Sequence, residues 1–305
     1  MLMAGIEFDF TRDECLNLEH SLRQEWLETD GRGGYAASTI IDCHTRKYHG
    51  LLNVPVPSQN GVFVLLSKLE AAVEIHGNIF HLSTNKFPCV FNPTGHKYIE
   101  LFRSGQYPMT IYRIGDIQLR RSLVMQQGSH TTLIRYDLLS ADLPITLKLS
   151  PLLAYRNRHS LRTRSEQPGF RVKLEENVCR IDNTEGLPPL YLDTSMDLVF
   201  DPSPYWVNRI EYMKELSRGY EYQEDLYCPG VFELKLHAGD TLILRASVDK
   251  PEKDPLLAWK AEIARRQSLF NHLRRVPHPV RQLKARTEQF IIRDDNGVPG
   301  IIAGY

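Results

Sequence analysis

The chain reads as a mainly β protein, a large antiparallel β-sandwich followed by C-terminal linker helices, and three observations predict this. From about residue 60 to 250, short runs of β-branched and aromatic residues alternate with turn signals, the rhythm of antiparallel sheets. After Val248 the apolar spacing changes to that of a helix. With 42% hydrophobic and 24% charged residues, a chain of 305 residues has the material for a sizeable core.

The elements follow in order. Gly31, Gly33 and Gly34 allow a sharp turn, after which Tyr35 to Ile41 enters a strand. Glu74 to Leu82 predicts a hairpin, with Gly77 and Asn78 as a two-residue type II′ loop. Strands are expected at Met109 to Arg113, Ile117 to Met125, Thr131 to Leu138 and Ile145 to Leu149. They continue at Arg171 to Leu174, Val178 to Ile181 and Leu190 to Leu192. In 232–248, Phe232, Leu234 and Leu236 share one face, and His237 to Asp240 turns the chain into a second strand of the same half-buried hairpin. That many strands suits two packed sheets.

Lys250 to Pro255 is a charged, proline-bounded connector. Leu256 to Arg275 then carries apolar residues at 256, 259, 263, 270 and 273, and predicts an amphipathic helix. Pro277 and Pro279 interrupt it, and Val280 to Ile292 resumes as a second helix. Asn296 and Gly297 suggest a turn before an apolar, strand-like tail that has the look of a domain boundary. The expected division is a sandwich over 1–250 and a helical linker over 251–305.

Charge and targeting signals narrow the function classes. Lys plus Arg and Asp plus Glu are equal at 37 each, without the positive field that attracts nucleic acid, so a neutral ligand fits better. The longest apolar stretches, such as GVFVLL at 61–66, fall short of the ~20 residues that span a bilayer. The N-terminus lacks a basic region followed by an apolar one, which leaves a cytoplasmic location as the expectation. Cysteines 15, 43, 89, 179 and 228 are scattered and odd in number, as reduced packing residues would be. No cofactor is expected.

Two local motifs fall short of a ligand site. GRGG at 31–34 lacks the strand–glycine–helix context of a phosphate loop. His44 and His49 are five residues apart, not the one-turn spacing that sets two imidazoles on one helix face, so no metal is expected.

Three longer segments carry a family resemblance: EWLETDGRGGYAASTIIDCHTRKYHGLL (25–52), SPLLAYRNRHSLR (150–162) and YWVNRIEYMKELSRGYEYQEDLYCPGVF (205–232). In this order they resemble the N-terminal domain of bacterial and archaeal glycogen debranching enzymes, the amylo-α-1,6-glucosidase type. The resemblance implies a supersandwich like the N-terminal domain of glucoamylase. It also implies a partner in the same enzyme, an (α/α)6 catalytic barrel that hydrolyses α-1,6 branch-point bonds in glycogen or limit dextrin. The final IIAGY (301–305) resembles the junction into that barrel.

Glycoside hydrolysis needs two carboxyl groups flanking one bond. Glu224 and Asp225 are adjacent, so on an extended segment they point oppositely, and no catalytic residue is expected here. Sugar contact suits donors beside aromatic faces. The candidates are Trp26 as a stacking face, Arg46, Tyr48 and His49 after the glycine turn, Tyr155, Arg156, Arg158 and His159 in the second segment, and Asp225 in the third. Each also has a packing explanation: Trp26 and Tyr48 as core aromatics, Arg46 paired with Asp225, His49 as an internal hydrogen-bonded histidine. The function expected is thus a non-catalytic domain that supports the barrel and shapes its α-glucan site. The alternatives are an autonomous carbohydrate-binding module, or an interaction domain whose aromatic and basic tail, Trp259 to Arg275, docks another copy or chain.

Overall fold

The computed structural model of the chain describes residues 8–273, 276–294 and 297–305. Two large antiparallel sheets face each other. One runs Phe8–Thr11, Ile99–Ser104, Pro108–Ile114, Ile117–Met125, Thr131–Ser140, Thr241–Ser247, Leu190–Thr194, Val178–Asn183, Phe170–Glu175. The other runs Val199–Asp201, Val231–Leu236, Ile145–Asn157, Gly61–Ile75, Gly50–Val56, Tyr35–Thr39, Glu25–Thr29. Onto this second sheet are added Gln223–Cys228 with its partner Tyr205–Glu211, and Asn78–His81 beside Gly61–Ile75.

Alternation builds the core. Ile145, Leu147 and Leu149 point inward while Thr146 and Lys148 point out, and Phe232, Leu234 and Leu236 repeat the pattern on the neighbouring strand. From the opposite sheet Ile134, Tyr136, Leu138, Leu192 and Leu244 meet them in one continuous buried cluster.

The expected strands form, with two departures in how they are joined. The hairpin after Gly61–Ile75 turns at His76 and Gly77, because Ile75 pairs with Asn78. Both central residues have positive φ, +50° and +75°, so the loop is of type I′ and not type II′ at Gly77 and Asn78. Val231–Leu236 and Thr241–Ser247 are not a hairpin: the first pairs with Ile145–Asn157 and the second with Thr131–Ser140 in the other sheet. A turn that crosses between sheets and one that stays in a sheet join strands of the same period, so alternation does not separate them. Cys15, Cys43, Cys179 and Cys228 are buried and free as packing residues, but Cys89 is exposed at a turn.

After the sandwich, Asp254 caps the helix Pro255–His272 by accepting the Leu256 N–H at 2.7 Å. Trp259 is buried against Val124, Leu133 and Ile243 of the first sheet, edge-on to Tyr107. The aromatic anchor of the expected interaction tail is therefore consumed inside the chain; Arg275 lies outside the described residues. The second helix is shorter than expected, His278–Thr287, and a 3-10 turn leads to the strand Ile291–Arg293, which pairs with Pro299–Ile301. Asn296, half of the expected turn between them, lies outside the described residues. Among the described residues no helix is long and apolar enough to cross a membrane.

Candidate functional site

The three motif segments meet at one place, and a bulge brings them there. The ladder between Ile145–Asn157 and Gly61–Ile75 slips between Leu153 and Arg156, and Tyr155 sits in the slip with φ +44°. Two consecutive side chains are thereby both buried: Tyr155 enters the main core, and Arg156 turns to the third segment.

Arg156 holds Glu224 with both edges of its guanidinium, Nε to Oε1 at 2.5 Å and Nη2 to Oε2 at 2.9 Å. Its Nη2 also donates to the Lys47 carbonyl at 2.8 Å, which ties in the first segment. Glu224 further accepts the Tyr212 hydroxyl and, at 2.9 Å, the Arg162 backbone N–H. Four donors fill the capacity of one carboxylate. The short helix Met213–Leu216 completes the knot, its Lys214 N–H donating to the Thr45 carbonyl at 2.8 Å and its buried Glu215 accepting the Lys47 N–H at 3.4 Å.

Over this buried frame lies a partly exposed face. Arg46 pairs with Glu25 at 2.8 Å, so its carboxylate partner is Glu25 and not Asp225. His49 is buried; its Nδ1 accepts the Thr45 N–H at 3.2 Å, which leaves Nε2 to face Glu25 at 3.7 Å. Burial pushes the Glu25 carboxyl up, but hydrogen bonds and charge from His49 and Arg46 outweigh it and hold the group at about 2. Tyr48 shares a hydrogen bond of 3.1 Å with His159 Nδ1, and their rings meet edge to face. Lys47 lies between two aromatic rings, 5.8 Å from that of Tyr48 and 5.7 Å from that of the exposed Tyr220. Burial raises the Tyr35 phenol to about 12 while Arg158, at its hydroxyl, pulls the other way; that hydroxyl donates to the Tyr48 carbonyl at 3.0 Å. The His159 imidazole is held below its ordinary range by burial and by nearby Arg158 and Lys47.

The candidates thus divide. Arg46, Tyr48, Arg158 and His159 share the partly exposed face, with His49 and Arg156 buried beneath it as framework. Tyr155 is a core residue whose hydroxyl donates to the Ile181 carbonyl at 3.4 Å. Trp26 is also in the core, its indole N–H donating to the Thr39 carbonyl at 3.1 Å. Asp225, on the strand face opposite Glu224, accepts the backbone N–H groups of Arg164 and Arg209, each at 2.7 Å, and so pins two loops.

The glycine turn beside this face has a backbone role. Asp30 is buried and its Oδ1 accepts the Arg32 and Gly34 N–H groups at 2.7 and 2.9 Å, while Oδ2 meets His130 Nδ1 at 2.5 Å. Gly31 and Gly33 take φ of +72° and +88° to close the turn. The turn seats the end of the chain: Arg293 N–H donates to the Gly31 carbonyl at 2.9 Å, and the Tyr305 ring packs 5.2 Å from Tyr35. His44 and His49 do stand edge to face, 5.5 Å apart, but among the described residues no three His, Cys, Asp or Glu side chains converge as metal ligands.

Glu25, Lys47, Tyr212, Glu215 and Tyr220 all lie inside the three motif segments yet were not singled out from sequence. Their partners are far away in the chain, 21 residues for Glu25 with Arg46 and 168 for Lys47 with Glu215, so no local spacing marks them.

Among solved structures, a bacterial glucoamylase complexed with acarbose aligns with 94% of this chain and 39% of its own, at 8% identity and a TM-score of 0.39. A candidate kojibiose phosphorylase from the human microbiome aligns over 85% and 34%, at 11% identity and a TM-score of 0.38. The heparan sulfate lyase HepC from Pedobacter heparinus aligns over 73% and 32%, at 11% identity and a TM-score of 0.32. The chain thus spans between 32% and 39% of the length of these three proteins, and scores below 0.5 carry no structural equivalence. No curated protein sequence matches. The family described as glycogen debranching enzyme N terminal matches residues 24–243, a stretch that contains all three motif segments, and the chain belongs to that family.

Proposed function

We propose that this chain is a non-hydrolytic accessory domain of an α-1,6-glucosidase-type debranching enzyme, which braces a catalytic (α/α)6 barrel and lends one wall to its α-glucan site. The observation that supports this reading is the Arg156–Glu224 knot. It commits the carboxylate of Glu224 to four donors while Asp225 binds two backbone N–H groups, and above it stand Tyr48, His159, Arg158 and Lys47, which mix aromatic surface with hydrogen-bonding groups. Rings and donors in one place suit a neutral sugar, whose apolar face stacks and whose hydroxyls pair.

Purified chain incubated with a branched limit dextrin is expected to release no glucose above a buffer control. Sustained turnover abolished by one substitution in the chain would overturn the accessory reading. Calorimetric titration with maltooligosaccharides examines the wall itself: weak binding reduced by Lys47→Ala or His159→Ala is the expected result, and binding unaffected by both places the sugar elsewhere.

A further inference from the structure

We infer that an open cleft apart from the motif segments, lined by Arg12, Lys97, Arg113, Phe80, Tyr98 and Thr94, binds a small phosphorylated sugar. Its volume is ≈ 590 Å³, in the range of small-molecule sites. None of its lining belongs to the three segments, so this inference does not depend on the proposed function.

Three distant parts of the chain bring cations there. Arg12 opens the short helix Arg12–Leu16, Lys97 sits on the 3-10 turn Gly95–Tyr98, and Arg113 lies one residue before the end of Pro108–Ile114. Glu100 pairs with Arg113 at 3.0 Å, and its carboxyl is held below its ordinary range chiefly by that arginine and Gln118 and to a lesser degree by the charges of Arg113 and Arg12. Among the described residues neither Arg12 nor Lys97 makes an ion pair, although most arginines of the sandwich do, as at Arg46, Arg103, Arg120, Arg135, Arg156 and Arg245. Arg12, Lys97 and Arg113 are exposed at the cleft, so their N–H groups are open to an anion that enters it.

The rest of the lining suits a ring. Phe80 and Tyr98 meet edge to face, 6.1 Å between centroids, and both are partly buried, giving an apolar wall beside the cations with the Thr94 hydroxyl next to it. A dianionic phosphate takes charge-assisted hydrogen bonds from arginine and lysine, and a pyranose lays its apolar face on aromatic rings. The combination fits a phosphate monoester of a sugar better than free phosphate or free sugar.

Isothermal titration of the purified chain with glucose 6-phosphate, inorganic phosphate and glucose at low salt tests this. Saturable binding of glucose 6-phosphate is expected, weakened as salt rises and tighter than that of the other two. Arg12→Ala and Lys97→Ala, which break no ion pair in the fold, are each expected to weaken it about tenfold, the worth of one charge-assisted hydrogen bond. Tyr98→Leu, with circular dichroism to confirm folding, is expected to weaken glucose 6-phosphate but not inorganic phosphate. Absence of binding, binding unchanged by both cation substitutions, or equal affinity for either fragment alone overturns the inference.

Discussion

At the scale of single residues, exposure separates two arginines that look alike in sequence. Arg156 and Glu224 are nearly sealed, with side chains 4% and 0% exposed, whereas Arg46 and Glu25 are about a third exposed at 32% and 31%. Removing one member of a buried pair strands the other charge and costs about 3–5 kcal/mol, while a screened surface pair is worth about 1 kcal/mol or less. Urea unfolding should therefore show a large loss for Arg156→Ala and a small one for Arg46→Ala; equal losses would mean the knot is not what joins the three segments. Gly34 offers a second contrast. A Cβ there would run into the Asp30 carboxylate and come within 2.9 Å of His130 Nδ1, so Gly34→Ala must disturb that pair. Overpacking of this kind costs about 1–3 kcal/mol. Gly115→Ala, at φ +61° with nothing within 4 Å of its added Cβ, meets backbone strain without a clash and is expected to cost less than Gly34→Ala, which meets a clash without positive φ. The sequence made the glycines legible as a backbone device but not the pairings, because Arg46 finds Glu25 and Arg156 finds Glu224 through tertiary contacts and bulges.

At the scale of elements, the loop after Tyr35–Thr39 carries a titration that should be visible in stability. His44 is buried and held well below the ordinary imidazole range, by burial first and then by the charges of His49, Lys68, Arg121 and Arg156 around it. As pH falls below about 6.5 the unfolded chain takes up a proton there that the folded chain does not. Stability is thus fully present above about 6.5 and declines below it, by at most about 1.4 kcal/mol per pH unit for this one group. Glu25 acts lower: its carboxyl, held at about 2, contributes above the unfolded value near 4.5 and loses that contribution as pH falls toward 2. Urea midpoints between pH 6.5 and 5 therefore report chiefly on the histidines, and His44→Asn should flatten that slope. His96 and His159, also held low, pull the same way, so the slope is reduced and not abolished. An unchanged slope would remove His44 from the account. Elements were also where the sequence was most readable. Ile117–Met125 has the bounds alternation gives it. Ile145–Asn157 runs on past the expected Leu149 because its bulges let consecutive apolar residues 152–155 all be buried, and period-two reading stops where the period does.

For the whole molecule, the question is how the helical tail stays on the sandwich. Trp259 supplies apolar contact, Arg286 and Gln289 donate to the Gly105 and Leu27 carbonyls at 2.6 and 2.8 Å, and a buried charge relay joins the first helix to the sheet. Arg266 donates to Glu28 at 2.5 Å and 3.2 Å and to Glu262 at 2.7 Å, and Glu28, only 1% exposed, also accepts the Met125 N–H at 3.4 Å. Glu28 lies on the same strand as Glu25, so the strand that carries the exposed face at one end holds the helix three residues later. Desolvating such a pair costs nearly what its attraction returns, so its value is in direction: it fixes where along the sheet the helix sits. Arg266→Ala leaves Glu28 buried without its cation and should cost about 3–5 kcal/mol, with faster proteolysis in the connector 248–254 as the helix lifts. Glu28→Leu combined with Arg266→Met replaces the pair by apolar volume and should recover most of that loss in urea unfolding. The loss in the double variant is therefore expected to fall well short of the sum of the losses of Glu28→Leu and Arg266→Met made singly. Strictly additive losses would mean that Trp259 and the other tail contacts hold the helix and that the relay only accompanies them.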